Sequence, residues 1–275
     1  MIKLMFITNS PELAAFAVHS GVDRIFVDLE TMGKFERQGH RDTLISRHAV
    51  DDVAAVRAAL PAGTELLVRI NPWHEGSAAE VDAVIAAGAD LIMLPMVRSS
   101  KEVAHLGGVV RGRSRIVPLV ETVGGAETIA DIAALDCVSE VFVGLNDLHM
   151  ELGLRFMFEP LADGLVETLA GRISPSGKPF GFGGIARVGE GLLPAERILG
   201  EHVRLGSSAV ILSRTFHRGA PDVAALQAGM DFPGEIARLR QWESQWRQAA
   251  PAELEANRLA VSEAVAAIVT KLESA

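Results

Sequence analysis

Eight short apolar runs recur along the chain, and each is followed by a longer amphipathic segment. The runs are apolar throughout, which is typical of parallel strands that are covered on both faces. Eight strand–helix units in succession predict a closed (β/α)8 TIM barrel, and an open doubly wound sheet is the alternative. The predicted strands are Lys3–Thr8, Arg24–Asp28, Glu65–Ile70, Leu91–Leu94, Arg115–Val120, Glu140–Val143, Pro179–Gly183 and Ala209–Leu212.

The pattern changes after the eighth run, where residues 221–275 favour helix and are broken only at Pro233 and Pro251. A barrel needs only one closing helix, so we expect a catalytic barrel domain over residues 1–220 and a helical extension over residues 221–275. The last helix carries an apolar stripe that has nothing left to cover once the barrel is closed. We therefore expect it to pack on another subunit and to form a homo-oligomer. The stripe consists of Leu254, Val261, Val265, Ile268 and Leu272.

Composition narrows the possible partners and compartment. The net charge is −9, which argues against nucleic acid as a partner because phosphate backbones need a basic face. The N-terminus lacks the apolar run of a signal peptide, and no stretch approaches the ~20 apolar residues of a membrane span. These features predict a cytoplasmic protein whose partner is a small molecule.

Polar side chains follow most of the predicted strands at their carboxyl ends, where barrels place their catalytic groups. Because Glu121 and Asp147 follow neighbouring strands, their carboxylates can converge on one ion. Two carboxylates completed by water and substrate oxygens suit Mg²⁺, Mn²⁺ or another divalent cation. Arg69 adds a cation that can stabilise a developing oxyanion. The full set is Asp28, Glu30, Arg69, Asn71, Glu121, Asn146, Asp147, His149, Ser213 and Arg214.

Two alternative interpretations of these strand ends are possible. The charged residues could form a salt-bridge network that only stabilises the barrel, but a stabilising network has no need to gather at one end. A Schiff-base aldolase would need a lysine at a strand end. Lys3 and Lys178 lie at strand starts, Lys101 and Lys271 lie on helices, and Lys34 lies in a loop. Carbonyl chemistry here would therefore have to rely on a metal.

The motifs VDLE, VRIN, GADLIMLPMV, PLVET and VGLNDLHMELG, in this order, resemble the HpcH/HpaI aldolase/citrate lyase family. The resemblance implies a (β/α)8 barrel with a C-terminal helix that packs on a neighbouring subunit. It also implies a divalent-metal lyase acting on 2-oxo acids or acyl-CoA esters. Glu121 and Asp147 match the metal ligands of the family, and Arg69 matches the arginine that faces the enolate oxygen. The backbone from Gly144 through Asn146 to Asp147 matches the segment that holds the pyruvate carboxylate.

The chain departs from the family where the general base is expected. In the aldolase branch a histidine directly follows the second-strand acids, whereas Thr31 stands there in this sequence. We predict that His40 replaces it as the base, because His40 follows Gly39 in a long loop that can fold over the site. The alternatives are His48, His149, and Asp28 or Glu30 acting through a bound water. His19, His105 and His202 fall on predicted helices and are interpreted as surface or packing residues.

These observations predict an aldolase that cleaves or forms a 4-hydroxy-2-oxo acid through a pyruvate enolate. One alternative is a CoA-thioester lyase of the citrate or malyl-CoA type, which would need a nucleotide-binding surface that the sequence does not reveal. The other is a barrel without catalysis that binds an oxo acid, an interpretation that Thr31 keeps open. The glycines of GFGGIAR after the seventh strand could admit a phosphate, although close packing explains them better.

Overall fold

The protein is a closed barrel of eight parallel strands in a computed structural model that describes residues 1–33, 48–213, 216–217 and 219–274. Neighbouring strands pair in chain order, and the eighth strand pairs with the first. The TIM-barrel prediction is therefore confirmed, and the open-sheet alternative is wrong. The strands are β1 (Lys3–Ile7), β2 (Arg24–Asp28), β3 (Glu65–Arg69), β4 (Leu91–Leu94), β5 (Arg115–Val120), β6 (Val141–Val143), β7 (Phe180–Ile185) and β8 (Ala209–Leu212).

Helices cover the outside of the barrel. Within the part of the chain described, none of them is long and apolar enough to cross a membrane. They are α1 (Pro11–His19), α2 (Val50–Ala59), α3 (Ser77–Ala86), α4 (Ser100–Val110), α5 (Val123–Glu127), α6 (Ile129–Ala134), α7 (Leu145–Glu151), α8 (Glu159–Ala162), α9 (Leu165–Ile173), α10 (Ala195–Arg204), α11 (Val223–Gly229), α12 (Phe232–Gln248) and α13 (Pro251–Glu273), with a short 3-10 turn at Ser174–Ser176.

Each strand divides its side chains between two cores. Alternate residues point into the barrel, where a compact apolar cluster that includes Phe26, Leu67 and Phe142 fills the interior. The residues between them point outward and join the larger core under the helices, as Ile25 and Val27 of β2 do. A strand buried on both faces reads as a continuous apolar run, which is why the strands could be recognised in the sequence.

The end of the barrel where the strands begin carries its own charged network. The Arg24 side chain is 1% exposed, and its guanidinium donates to Glu65 Oε2 at 2.5 Å and to Glu140 Oε2 at 2.9 Å. Lys3 and Arg115 also bind Glu65, at 3.0 and 2.7 Å. Burial raises the pKa of Glu65, but these cations outweigh it and lower the pKa to about 2. A network without a place in the predicted site thus gathers at one end of the barrel, so clustering at one end does not by itself distinguish a functional site from a stabilising network.

The last two helices pack on the barrel that precedes them. α13 contacts α10 and α8, and α12 also contacts α10. Val261 and Val265 of α13 are 1% and 3% exposed, and the buried Asn257 donates to Arg197 O at 3.0 Å. The premise that the α13 stripe has nothing left to cover is therefore wrong for Val261 and Val265. Leu272 of the same stripe is 42% exposed, and the homo-oligomer stays a prediction.

His202 of α10 is a packing residue, as the sequence indicated. Its ring is fully buried and stacks on the Phe182 ring with centroids 3.8 Å apart. Its Nδ1 lies 2.8 Å from Ser207 Oγ. Burial lowers the pKa of His202 to about 3, because the charged imidazolium cannot be solvated there.

Candidate active site

Arg69 and Asp28 pair directly across β2 and β3 at the carboxyl end of the barrel. Arg69 Nε and Nη2 donate to the two carboxylate oxygens of Asp28, each at 2.8 Å. Nη2 also lies 3.3 Å from Glu30 Oε2. Asp28 and Glu30 are 0% and 2% exposed. The bidentate contact fixes the plane of the guanidinium, so Arg69 points in one direction.

Arg69 keeps its positive charge although it is buried. Burial opposes the cation, but attraction to Asp28, Glu30 and Glu121 outweighs this effect and raises the pKa of Arg69. The guanidinium carbon also lies 5.6 Å from the centre of the Phe26 ring, which supports it from the barrel interior. Arg69 is thus a permanent, oriented cation at the barrel mouth.

Glu121 follows β5 and is 3% exposed. Its Oε1 accepts a hydrogen bond from the Met96 backbone N–H at 3.0 Å. Met96 has φ 54, a left-handed conformation that is costly for a side-chain-bearing residue. A Cβ added at Gly144 would lie 2.7 Å from Glu121 Oε2, so this carboxylate sits directly against the residue that begins α7. Only glycine leaves room for it there.

Glu121 shares the site with other acids. Burial and then the negative charge of Asp147 raise the pKa of Glu121 to about 8, and Glu30 adds to this effect. Arg69 and the Met96 N–H act in the opposite direction and do not compensate. A divalent cation would relieve the repulsion between Glu121 and Asp147, so the residues present fit such an ion.

The set of possible ligands is small. Asp147 lies in the first turn of α7 and is half-buried. Among the residues that the structure describes, no group of three or more His, Cys, Asp or Glu could hold a metal. Two carboxylates leave most coordination positions to water and substrate oxygens, an arrangement that suits Mg²⁺ better than Zn²⁺.

The α7 N-terminus stands beside this acidic pair. Gly144 is its N-cap residue, and Asn146 lies between the cap and Asp147. The first backbone N–H groups of a helix have no partner within the helix and can receive an anion. That Gly144 and Asn146 hold the substrate carboxylate remains a prediction from the family resemblance.

The segment after β2 is anchored by Asn71. Asn71 Oδ1 accepts from the backbone N–H groups of Thr31 and Met32, at 2.9 and 3.0 Å. Its Nδ2 donates to Glu80 Oε1 at 2.8 Å. Asn71, which the sequence placed among the polar residues at the strand ends, therefore positions the start of this loop, and Thr31 is exposed beside it.

The histidines considered as general bases differ in their positions and hydrogen bonds. His40 lies outside the described residues, as does Arg214, so its role stays a prediction. His48 Nδ1 accepts the backbone N–H of Asp28 at 3.0 Å, which places the proton of the neutral ring on Nε2. His149 is 2% exposed, and its Nδ1 donates to Leu145 O at 3.2 Å within α7. In this arrangement His48 Nε2 can donate a proton but cannot accept one.

The glycines of the seventh strand serve packing. A Cβ at Gly181 would lie 2.6 Å from Ala209 O and 2.7 Å from the Phe142 ring. Gly183 has φ 54 and lies against Leu145. Close packing, the better of the two sequence interpretations, therefore accounts for these two positions.

A groove runs from the mouth across the loops that follow β2, β3 and β4. Its volume is about 400 Å³, and apolar side chains dominate its lining, with Arg98 and Glu102 at one side. Met96, whose N–H binds Glu121, belongs to this lining, so the groove adjoins the acidic pair. The lining residues are Met32, Gly33, Pro72, Trp73, Met96, Arg98 and Glu102.

Known proteins resemble the chain in sequence and in fold. A (3S)-malyl-CoA thioesterase from Cereibacter sphaeroides is 32% identical over 97 residues, which are 35% of this chain and 34% of that protein. The chain thus matches only about a third of the length of this relative. Protein CitE from Mycobacterium tuberculosis, solved in complex with magnesium and acetate, superposes with a TM-score of 0.62 at 18% identity, over 96% of each chain. The citrate lyase beta subunit from M. tuberculosis, complexed with oxaloacetate and magnesium, gives 0.61 at 19% identity, over 88% of this chain and 96% of that one.

At such identities the solved structures support the fold. The sequence comparison shows the family. The family model for HpcH/HpaI aldolase/citrate lyase matches residues 3–159, which are more than half of the chain and include β1 to β6. The match covers Asp28, Arg69, Glu121 and Asp147. The chain belongs to the HpcH/HpaI aldolase/citrate lyase family.

Proposed function

We propose that this protein is a divalent-metal-dependent lyase that makes or breaks a carbon–carbon bond next to a 2-oxo acid. The observation that carries the proposal is the buried cation Arg69, oriented by Asp28 close to the buried Glu121 and the half-buried Asp147. A site with one fixed cation and two carboxylates that can bind a metal is able to stabilise a single developing negative charge. Membership of a family of aldolases and lyases supports the same chemistry.

Glu121 and Asp147 would hold the ion, which we propose to be Mg²⁺ or Mn²⁺. When bound, it would polarise the 2-oxo group of the substrate as a Lewis acid. The M. tuberculosis relatives that contain magnesium together with acetate or oxaloacetate support this choice. The backbone N–H groups at the start of α7, that of Asn146 among them, would receive the substrate carboxylate. The Gly144 N–H already donates to Val120 O at 2.9 Å, so Gly144 would contribute by leaving room beside Glu121.

Arg69 would stabilise the oxygen of the enolate as its charge develops. The enolate forms when a base removes the 4-hydroxyl proton of a 4-hydroxy-2-oxo acid and the C3–C4 bond breaks. The bonding electrons then move into C2–C3, an aldehyde leaves, and C3 is protonated to give pyruvate. Asp28 would act as a positioning residue for Arg69, because both of its oxygens already bind the guanidinium. The fixed geometry costs no reorganisation during the reaction.

The base is proposed separately from the metal site. His40 remains the first candidate, and His48 is disfavoured because its Nε2 carries the proton. Glu30 Oε2 lies farther from the Arg69 guanidinium than the Asp28 oxygens do, 3.3 Å against 2.8 Å. Glu30 acting through a bound water is therefore the stronger carboxylate alternative. A pH–rate profile of His40→Ala and Glu30→Gln separates them, since loss of the base removes the acidic limb.

The test of the proposed function is turnover of 4-hydroxy-2-oxo acids and of oxaloacetate with added Mg²⁺ and with chelator. We expect Glu121→Gln and Asp147→Asn to lose the metal-stimulated rate while the circular dichroism spectrum stays unchanged. Glu127→Gln, which changes an exposed acid on α5, should keep it. Full activity in excess chelator would contradict the metal-dependent mechanism. Binding of pyruvate without turnover of any substrate would favour the barrel without catalysis.

A CoA thioester is the second candidate substrate. It is favoured by the partial match to a malyl-CoA thioesterase and by the apolar groove that adjoins the site. The discriminating comparison uses malyl-CoA against a free 4-hydroxy-2-oxo acid, with Trp73→Ala as the variant. A loss of kcat/KM for the thioester alone would assign the groove to CoA, whereas no turnover of any thioester by the wild-type protein would leave the free acid.

A further inference from the structure

A second, smaller cavity lies beyond the loops that follow β7 and β8. Its volume is about 140 Å³, and it is bounded by Arg187, His217 and the inner side of α11. The ring of His217 contacts Phe6 edge-on at 5.2 Å, and Phe6 faces outward from β1. The cavity therefore lies outside the barrel wall, apart from the acidic pair at the mouth. Its remaining lining is Ala220, Ala225, Leu226, Gly229 and Met230.

Arg187 is a buried cation that pairs with Glu190 and has one buried nitrogen, Nη2, without a hydrogen bond in the described part of the chain. It is 6% exposed, and a guanidinium has five N–H donors. Nε donates to Glu190 Oε2 at 3.1 Å. Nη2 lies 3.1 Å from the same oxygen, but within the described part of the chain it finds no hydrogen bond of good geometry. Because buried donors are almost always satisfied, this arrangement points to a ligand in the adjoining cavity.

The loop that carries Arg187 is already folded. Glu190 N donates to Arg187 O at 3.0 Å, which closes a tight turn, and Gly189 adopts φ 79 within it. Glycine takes this left-handed conformation without steric cost. The guanidinium is therefore held against the cavity without further rearrangement, which lowers the cost of binding.

The chemistry of the cavity selects one class of ligand. Apart from Arg187 and His217, its described lining is apolar, so a bound anion would meet the Arg187 cation, beside its Glu190 partner, with few competing polar groups. The volume equals that of about four to five water molecules at about 30 Å³ each. This space suits one phosphate or carboxylate group and is too small for a nucleotide. Loops after the seventh and eighth strands of barrels often bind phosphate.

We infer that this cavity is a binding site for a small oxyanion, a phosphate or carboxylate group, held by Arg187 and separate from the metal site. The inference does not rest on the proposed lyase activity. The proposed anion would bind Arg187, the last residue of the GFGGIAR motif, whereas the glycines of that motif are explained by packing.

The test is calorimetric titration of the full chain with inorganic phosphate and, separately, with acetate at constant ionic strength, with and without Mg²⁺. We expect at least one anion to bind saturably with one site per chain in the absence of Mg²⁺, and an additional site that appears only with Mg²⁺ would belong to the acidic pair. The stronger of the two identifies the group as phosphate or carboxylate. No saturable heat with either anion would overturn the inference, as would binding that requires Mg²⁺.

Arg187→Met keeps most of the side-chain volume and should weaken anion binding about tenfold or more, because charge-assisted hydrogen bonds are lost. Arg258→Met is the matched control, since Arg258 also pairs with a glutamate three residues away but lies on α13. It should bind as the wild type does. Unchanged binding in Arg187→Met would refute the assignment.

A second variant covers the case in which Arg187→Met does not fold. A Cβ at Gly229 meets no atom within 4 Å, and leucine favours helix more than glycine does. Gly229→Leu should therefore fold and occupy the cavity, and it should weaken binding by a similar factor. Wild-type affinity in Gly229→Leu would count against this cavity as the site.

Discussion

Replacing Gly144 with alanine is the sharpest test of how the acidic pair is built. The added Cβ would lie 2.7 Å from Glu121 Oε2, 2.8 Å from Glu121 Cβ and 3.0 Å from Leu119 Cδ1. Favourable contacts between heavy atoms begin at about 3.5 Å, so the Glu121 carboxylate must shift by roughly 0.8 Å. Leu119 belongs to the packed barrel interior and cannot retreat easily.

The expected consequence is a misplaced metal ligand in a protein that still folds. Overpacking of this kind costs about 1–3 kcal/mol, which most domains of this size tolerate. A displacement near 1 Å at a reacting centre can cost about 100-fold in rate, so we expect kcat to fall by up to that factor and the Mg²⁺ requirement to rise. Turnover as a function of Mg²⁺ concentration, with the melting temperature recorded in parallel, measures both effects.

Gly108→Ala is the matched control, because a Cβ there meets no atom within 4 Å and the residue lies inside α4. It should leave turnover unchanged and stabilise the protein by up to about 1 kcal/mol. A Gly144→Ala protein with wild-type rate and wild-type Mg²⁺ dependence would refute the close fit between Glu121 and Gly144.

Three further outcomes are expected. Arg69→Lys should lower kcat more than it raises KM, because lysine lacks the planar fork that Asp28 holds; an unchanged kcat would make Arg69 structural. His202 stays neutral in the folded state, where its pKa is about 3, whereas the unfolded chain binds a proton on this residue below about pH 6.5. The contribution of His202 to the free energy of unfolding is therefore constant above pH 6.5 and should be about 2 kcal/mol lower at pH 5. His202→Phe should remove this loss in urea titrations at pH 5 and pH 8, and an identical pH dependence would contradict it. If α13 also packs on another subunit, the double variant Leu259→Glu, Leu272→Glu should lower the oligomeric state measured by light scattering. The melting temperature should not fall, because these side chains are 50% and 42% exposed. A monomeric wild-type protein would contradict the prediction.

The strands could be predicted because burial on both faces leaves a simple sequence signal. All eight predicted runs overlap the observed strands, and four of them have the same bounds, among them Arg24–Asp28 and Ala209–Leu212. The convergence of Arg69, Asp28 and Glu121 followed from the rule that strand ends meet at one rim. The contact between Asn71 and the Thr31 backbone could not be predicted, because it depends on the path of a loop.

The charged network at the end of the barrel where the strands begin was not predicted, although the sequence contains a signal for it. Arg24 and Asp28 are separated by an even number of residues, as are Glu65 and Arg69, so each pair shares one face of its strand. The rule that barrels place catalytic groups at strand exits points only to Asp28 and Arg69, and it gives no partner for Arg24 and Glu65. For α13, sequence alone could not distinguish a stripe that covers the chain's own helices from one that covers a second copy.

The placement of opposite charges at the two ends of β2 and β3 has a consequence for how the barrel assembles. Arg24 faces Glu65 at one end of this strand pair, and Asp28 faces Arg69 at the other. A slip of one residue along β2 would turn both charged side chains out among the aliphatic residues beneath the helices. Each would then lie in apolar surroundings without its partner, a cost far greater than that of exchanging one aliphatic residue for another. The apolar middle of the strands is compatible with several registers, so the charged residues at the two ends select the register that pairs Asp28 with Arg69.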